Sequence, residues 1–308
     1  MATTLTTLLL LLMMVYAAAF HAAIVEADFS FSYAQAGKTL PSNLVILNNA
    51  SFKSDGTVWL TPDPREEQWD KMGGQTGWLL YNASFQWETN ITSFSTSFQF
   101  QFITLAPEVG HAGDGMAFFI SPHSTVPDSS LGMMLGLTSN DSYNVTDPSR
   151  HLFAVEFDNY GNPELQDPNN NHAGIDINSL ISNVTVHLDS SSGYPDLDLN
   201  KNSSFMVWVD YSAADSAIEL RMVNTNVTSH PITRPPDPLL RRTYNLSTVF
   251  LDSPLFVGLS ATTGVSYQGC AIFSWNFTLS NPPPQPPLQP ESNTTKKTSI
   301  AQSSTEGF

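Results

Sequence analysis

Apolar and polar residues alternate along most of the chain in short runs, and each run ends at a group of glycine, proline, asparagine or serine residues. A period of two places every second side chain on one face of an extended strand, which indicates antiparallel β structure. No amphipathic helix of three turns is evident. The predicted strands cover residues 93–105, 115–121, 151–158, 205–211, 217–223 and 255–261.

No linker separates these runs, and the sequence shows no internal repeat. Two half-buried sheets can cover each other's apolar faces, so the pattern predicts an all-β sandwich. We assign it to one domain over residues 28–280.

The two ends of the chain have a different composition from this domain. Residues 1–27 contain LTTLLLLLMMVYAAAF and then small residues, which predicts a signal peptide. Because a basic start is missing, an uncleaved anchor is the alternative. Residues 281–308 are rich in proline, serine and threonine and predict a disordered tail with a polyproline II stalk. No other apolar run is long enough to span a membrane.

Charge and cysteine content narrow the function classes. The chain of 308 residues has 28 acidic and 12 basic residues and a net charge of −16, which argues against nucleic acid as a partner. The single cysteine, Cys270, excludes an intrachain disulfide. Sequons for N-glycosylation are dense, as expected of a secreted glycoprotein: Asn49, Asn82, Asn90, Asn140, Asn144, Asn183, Asn202, Asn226, Asn245, Asn276 and Asn293.

One stretch, VEFDNYGNPELQDPNNNHAGIDIN at residues 155–178, concentrates polar groups beside an apolar strand. Glu156 and Asp158 are two positions apart, so both project from one face, roughly 6.6 Å apart along the backbone. Asn162 and Asp167 follow in a loop, and His172 begins the next strand. Carboxylate and amide oxygens suit Ca²⁺, and one imidazole suits Mn²⁺. The stretch therefore predicts a metal site.

A glycoside hydrolase is the enzymatic alternative, because some β-sandwich hydrolases carry paired carboxylates on one strand. Such an enzyme needs a second catalytic carboxylate further along the same strand. In this chain Gly161 follows the pair, and the next acid, Glu164, lies in the loop beyond it. We therefore predict a protein that is not an enzyme.

The same stretch resembles the metal-binding signature of the legume lectin family, in VEFDNYGN, DP and HAGIDINS. The resemblance extends in order over the whole domain. The other matching segments are GTVWLTP (56–62), GWLLYNASFQW (77–87), FSTSFQFQF (94–102), GDGMAFFISP (113–122), WVDY (208–211) and VGLSATTGVSYQGCAIFSWNF (257–277).

This resemblance implies a concanavalin-like jelly roll with a Ca²⁺/Mn²⁺ pair beneath a shallow sugar pocket. Carried over position by position, Glu156 and His172 would bind Mn²⁺, and Asp158 and Asp167 would bridge both ions. Asn162 and the backbone carbonyl of Tyr160 would bind Ca²⁺. Ser182 would reach Mn²⁺ through a water molecule.

The resemblance also implies the residues of the sugar pocket. Asp114, after a cis peptide bond, would accept hydrogen bonds from sugar hydroxyls, and Asn162 would donate one. Tyr160 would offer an aromatic face. A backbone donor falls at Gly132 or Met133, and Met133 would crowd the pocket if it is the aligned residue. Val265 and Ser266 would close the opposite rim.

The function implied is reversible, Ca²⁺/Mn²⁺-dependent binding of glycans or glycoproteins by a secreted plant lectin, in the apoplast or the vacuole. Family members commonly pair through their back sheets, so a homodimer or homotetramer is compatible with the resemblance. Two alternatives remain: a non-binding structural or inhibitor-like relative, and a truncated ectodomain of a lectin receptor kinase.

Overall fold

The computed structural model describes residues 29–67, 71, 73–89, 91–104, 112–139, 146–228, 231–250, 253–266 and 268–280. The predicted signal peptide and tail lie outside these residues, as do the sequons at Asn90, Asn140, Asn144 and Asn293. Within them, no helix combines the length and apolar character needed to cross a bilayer.

Alternating residues form fifteen strands in the described part of the chain. They are β1 (Phe29–Ala34), β2 (Leu44–Asn48), β3 (Ser51–Phe52), β4 (Val58–Thr61), β5 (Thr76–Tyr81), β6 (Ser93–Ile103), β7 (Gly115–Ser121), β8 (Phe153–Asp158), β9 (His172–Ile177), β10 (Val184–His187), β11 (Ser204–Ser212), β12 (Ala217–Asn224), β13 (Leu240–Thr243), β14 (Phe256–Thr262) and β15 (Gly269–Ser280).

Short 3-10 turns supply the described helical structure between these strands. They are Gln35–Gly37, Gly132–Met134, Pro148–Arg150, Pro163–Leu165, Ser190–Ser192, Leu199–Lys201 and Leu246–Thr248.

The strands form two antiparallel sheets, which confirms the predicted all-β sandwich. One sheet has the order β13-β12-β11-β6-β15-β4-β3, with β1 also paired to β15. The other has the order β10-β9-β8-β7-β14-β5-β2. All six predicted strands are present, although β8 begins at Phe153 rather than at residue 151. His151 adopts a left-handed conformation after a 3-10 turn, so the extended conformation starts later.

Two separate apolar clusters lie on the two sides of the seven-stranded sheet. The main core fills the space between the sheets and is rich in phenylalanine, including Phe98, Phe118 and Phe157. A smaller cluster around Trp78 and Phe119 lies on the opposite face of the same sheet. The strands of this sheet are therefore buried on both faces, and side chains at alternate positions of β7 and β8 enter different clusters.

Candidate metal and saccharide site

Strand β8 carries the two acids of the predicted metal site on the face opposite the main core. Phe153, Val155 and Phe157 enter the main core, so Glu156 and Asp158 project to the other side. Both carboxylates are buried. The hydrophobic alternation of the strand thus fixes which face receives the charges.

Strand β9 presents the imidazole directly opposite these acids. His172 pairs with Asp158 in the antiparallel register. Its Nδ1 lies 3.0 Å from the carbonyl oxygen of Asn169, which turns Nε2 toward the carboxylates. Nε2 is 3.4 Å from Glu156 Oε1 and 3.8 Å from Asp167 Oδ1. Candidate ligand atoms of Glu156, Asp158 and His172 all lie within 4.8 Å of one another.

The loop after β8 folds back over the strand end through side chain to backbone hydrogen bonds. The Tyr160 amide donates to Asp158 Oδ1 at 2.7 Å, and the Asn162 amide donates to Asp167 Oδ2 at 2.6 Å. Asn162 also precedes the turn Pro163–Leu165, and its side-chain Oδ1 is buried without a hydrogen-bond partner. The loop thus places Asp167 beside His172 and holds Asn162 next to Asp167.

Two residues of β9 that the sequence interpretation did not assign also shape this cluster. Gly174 lies opposite Glu156, and a Cβ there would come 2.4 Å from Glu156 Oε1 and 2.0 Å from Ser182 Oγ. Asp176 is fully buried and lies 2.7 Å from Ser182 Oγ, which is also 2.5 Å from Glu156 Oε1. Glycine at position 174 leaves the space in which these oxygens meet.

The buried acids are electrostatically costly without a cation. Burial, followed by the charge of Glu156, raises the pKa of Asp158 and of Asp176 well above the usual range. Burial raises the pKa of Asp167 to about 6. Burial lowers the pKa of His172, but the hydrogen bond and charge of Glu156 outweigh it, so the net shift is upward.

The donor atoms fit a pair of hard or borderline divalent cations. Carboxylate and amide oxygens are the ligands that Ca²⁺ prefers, and one imidazole among carboxylates suits Mn²⁺. Buried atoms without a hydrogen-bond partner include His172 Nε2, Asn162 Oδ1 and Asp176 Oδ2. Orphaned atoms of this kind are rare in folded proteins, and a bound cation would satisfy them.

Asp114 lies beside this cluster, at the start of β7. The Gly113–Asp114 peptide bond is cis. The Asp114 amide donates to the Thr262 carbonyl at 3.1 Å, and its carbonyl accepts from the Asn159 amide at 3.1 Å. The side chain is only 5% exposed, and Oδ2 has no hydrogen-bond partner. Burial raises its pKa to about 6, and a backbone hydrogen bond from Gly264 acts in the opposite direction.

Gly132, rather than Met133, faces the Asp114 carboxylate. Gly132 has a φ of 61°, and a Cβ there would lie 3.5 Å from Asp114 Oδ1 and 3.5 Å from the Gly264 Cα. Met133 instead packs, partly buried, against the smaller apolar cluster. The positive φ explains why a glycine occupies this position.

Side chains of the sheet hold the loop that contains Gly132. Thr262 Oγ1 donates to the Gly132 carbonyl at 2.6 Å, and Ser260 Oγ donates to the Leu135 carbonyl at 2.7 Å. Trp78 Nε1 donates to the Gly136 carbonyl at 3.1 Å. Three buried donors thus fix the loop over the sheet.

The remaining predicted pocket residues occupy the surroundings of Asp114. Tyr160 is half-buried, and its Cβ would lie 2.8 Å from a Cβ at Gly113, so it packs on the cis peptide. Val265 is 86% exposed, whereas Ser266 is buried. Leu131, which the sequence interpretation did not assign, is exposed next to Gly132.

Comparison with known protein families identifies the family of this chain. The sequence profile of the legume lectin domain matches residues 28–293. The chain belongs to the legume lectin family.

Curated relatives of this legume lectin are plant receptor kinases with the same kind of domain. The L-type lectin-domain containing receptor kinase VII.1 of Arabidopsis thaliana is 37% identical over 221 residues, covering 67% of this chain and 29% of its own. Receptor kinase SIT2 of Oryza sativa subsp. japonica is 31% identical over 252 residues, covering 79% and 35%. The chain spans about a third of the length of the curated relatives it matches.

Solved legume lectin structures share the fold. Basic winged bean lectin, solved with Tn-antigen, is 26% identical with a TM-score of 0.67, covering 83% of this chain and 100% of that one. The Bauhinia forficata lectin in complex with GalNAc has a TM-score of 0.66 at 24% identity, covering 83% and 99%, and supports the fold alone. The legume lectin family binds carbohydrate, typically with metals, and is a non-enzymatic family.

Proposed function

We propose that this legume lectin is a secreted protein that binds glycans reversibly, in a Ca²⁺- and Mn²⁺-dependent manner, without chemical turnover. The observation that carries the proposal is the position of Asp114. Its buried carboxylate, with one oxygen lacking a partner, lies between Gly132 and Gly264 and beside the cluster of Glu156, Asp158 and His172.

In the proposed pocket the chain's own groups recognise hydroxyls. The Asp114 carboxylate would accept charge-assisted hydrogen bonds, and the Asn162 side-chain amide and the Gly132 backbone amide would donate. Tyr160 would pack against the C–H face of the sugar ring. A shallow site with few such bonds should hold a monosaccharide with a dissociation constant on the order of millimolar, and multivalent presentation should raise avidity.

The metal ions would be held by residues of β8, of β9 and of the loop between them, with Ser182 from the segment after β9. Glu156 and His172 would hold Mn²⁺, and Asp158 and Asp167 would contact both ions. Asn162 and the Tyr160 carbonyl would hold Ca²⁺, and Ser182 would act through water. When bound, the ions supply positive charge that neutralises the buried acids and keeps the loop beneath the pocket ordered.

Calorimetry on the purified protein tests the proposal. Galactose, N-acetylgalactosamine, mannose and fucose are titrated with saturating Ca²⁺ and Mn²⁺, and again after chelation. We expect binding of at least one sugar that chelation removes. Asp114→Asn should abolish it, whereas Asp128→Asn, an exposed acid of the nearby loop, should not. Bound metal without affinity for any glycan on a multivalent array would instead indicate a non-binding relative.

Secretion is the second part of the proposal, and its support is the apolar segment at residues 1–27. Expression of the full chain with a C-terminal tag in plant cells tests it. We expect the tagged protein in the apoplastic fluid, with a new N-terminus near residue 28. Retention in the cytosol with an intact N-terminus would contradict secretion without affecting the lectin proposal.

A further inference from the structure

The sequons within the described residues differ in how the fold uses the asparagine side chain. Attachment of a glycan replaces one hydrogen of the side-chain Nδ2 and adds a bulky polar group. The amide must therefore face solvent, and the fold must not depend on the hydrogen that is replaced. Asn82 and Asn183 meet both requirements, whereas Asn202 meets neither.

Asn82 lies directly after β5, in a segment that faces solvent. All three residues of its sequon, Asn82, Ala83 and Ser84, are exposed. The backbone amide of Asn82 donates to the Asn43 carbonyl at 2.8 Å, which holds the backbone in place. The side chain itself makes no hydrogen bond to a described residue. Its Nδ2 can therefore carry a substituent without loss of a contact.

Asn183 lies between β9 and β10 in a similar environment. Its backbone amide donates to the Ile175 carbonyl at 2.7 Å, and the residue is exposed. Within the part of the chain that the structure describes, its side chain also has no hydrogen-bond partner. An oligosaccharide on Nδ2 of Asn183 would extend into solvent.

Asn202 uses both ends of its side-chain amide to extend the pairing of two strands. The Thr104 amide donates to Asn202 Oδ1 at 2.8 Å, and Asn202 Nδ2 donates to the Thr104 carbonyl at 2.9 Å. The strands β6 and β11 are antiparallel neighbours, with Gln101 opposite Ser204. Because Thr104 follows β6 and Asn202 precedes β11, this side chain supplies the next pair of hydrogen bonds in the ladder.

The geometry of this contact excludes a glycan on the same amide. A substituted amide is planar and trans, which places the substituent on the same side as the carbonyl oxygen. A contact made through both Oδ1 and Nδ2 uses the hydrogen on that side. A sugar on Asn202 would therefore replace the hydrogen that binds the Thr104 carbonyl. Ser204, the third residue of this sequon, is also buried.

We propose that Asn82 and Asn183 carry N-linked oligosaccharides in the secreted protein, and that Asn202 stays unmodified and acts as a clamp between β6 and β11. The inference rests on the secretion part of the proposed function, because these glycans are attached in the secretory pathway. The donor is an oligosaccharide linked to a lipid through diphosphate. Nδ2 forms a bond to the anomeric carbon and loses a proton to a base of the transferring enzyme. The bond from that carbon to the diphosphate oxygen breaks, and the lipid diphosphate leaves with the electron pair.

Site-resolved mass spectrometry of the full chain tests the inference. The protein is expressed in plant cells in two forms, one with its own residues 1–27 and one with these residues replaced by the signal peptide of an established secreted protein. Peptide N-glycosidase in heavy-oxygen water then converts each glycosylated asparagine into a labelled aspartate. We expect the label at Asn82 and Asn183 in most molecules and no label at Asn202.

Three variants with the same chemical change separate the clamp from a simple lack of modification. Asn82→Gln and Asn183→Gln should each reduce the mass of the secreted protein by one glycan. Asn202→Gln should leave the attached glycans unchanged and lower the melting temperature by roughly 2–8 °C, because the longer side chain cannot keep both hydrogen bonds to Thr104. After enzymatic removal of the remaining glycans, the first two variants should melt within about 2 °C of the wild type.

The two forms of the protein distinguish failure of the inference from failure of the proposed secretion. The inference is overturned by label at Asn202 in folded, secreted protein, by a wild-type melting temperature of Asn202→Gln, or by unlabelled Asn82 or Asn183 in protein with glycans elsewhere. Glycans in the form with the replaced signal peptide, but none in the form with the native residues, overturn the proposed secretion and leave the inference intact. Secreted protein without any glycan in both forms overturns the inference alone.

Discussion

A methyl group added at Gly132 should weaken glycan binding by roughly 10- to 100-fold without unfolding the protein. Gly132 has a φ of 61°, where an L-residue costs about 1–2 kcal/mol. The new Cβ of Gly132→Ala would lie 3.5 Å and 3.7 Å from the two Asp114 carboxylate oxygens. A sugar hydroxyl must approach those oxygens to about 2.7 Å. The methyl group therefore occupies the space of the ligand, at a cost equal to a lost charge-assisted hydrogen bond, roughly 10- to 100-fold in affinity.

Gly193 provides the matched control for this substitution. It also has a positive φ, of 85°, but a Cβ there meets nothing within 4 Å. Gly132→Ala and Gly193→Ala should both lower the melting temperature by roughly 2–8 °C, as expected for about 1–2 kcal/mol. Only Gly132→Ala should lose affinity for the sugar in calorimetry. Equal affinities in the two variants would refute the assignment of Gly132 to the pocket.

Three further changes probe the site. Gly174→Ala should weaken Mn²⁺ binding, because its Cβ would lie 2.4 Å from Glu156 Oε1, and wild-type metal affinity in a titration would contradict this. Thr262→Val should cost about 1–3 kcal/mol in unfolding free energy and weaken glycan binding, since the buried Gly132 carbonyl loses its donor; chemical denaturation and calorimetry measure both. In the chelated protein, protonation of acids such as Asp167, with a pKa raised to about 6, should raise the melting temperature from pH 7 to pH 5. In metal-saturated protein the melting temperature should instead fall from pH 7 to pH 5, because the metal ligands must be deprotonated. The same pH trend in the chelated and the metal-saturated protein would argue against the metal site.

The sign of this pH effect follows from proton binding. Burial places the folded-state pKa of Asp167 above its unfolded value near 4, so the folded chain binds more protons between about pH 4 and pH 6. Its contribution therefore favours folding below that range and disappears above it. Cations invert the dependence because acid competes with them for the same oxygens.

Strand alternation was the part of this molecule most readable from sequence. The period of two in residues 153–158 places Phe157 on one face and Glu156 and Asp158 on the other, and both placements follow from local geometry alone. The sequence also predicted two sheets, because the apolar face of each sheet must be buried against another sheet. Such features depend on neighbours along the chain.

Features that depend on the pairing of distant strands were not readable in the same way. Gly174 matters because it lies opposite Glu156, and Asp176 because it reaches Ser182, so both require the register of β8 and β9. Similarly, the choice between Gly132 and Met133 depends on a loop conformation fixed by Thr262 from another strand. The sequence did not indicate that Leu131 is exposed beside Gly132, because a single leucine in a loop has the same sequence pattern as a buried one.

One face of β8 packs in the apolar core, and the other face carries the acids of the predicted metal site. The number of residues in this strand is therefore fixed. Insertion or deletion of one residue within Phe153–Asp158 would exchange the two faces, placing phenylalanines among the ligands and acids in the core. The loops that bear Gly132 and Val265 are positioned by hydrogen bonds to the sheet and not by alternation within a strand. A change of length in the outer part of these loops would therefore leave the two faces of β8 unchanged, whereas β8 itself must keep its residue count.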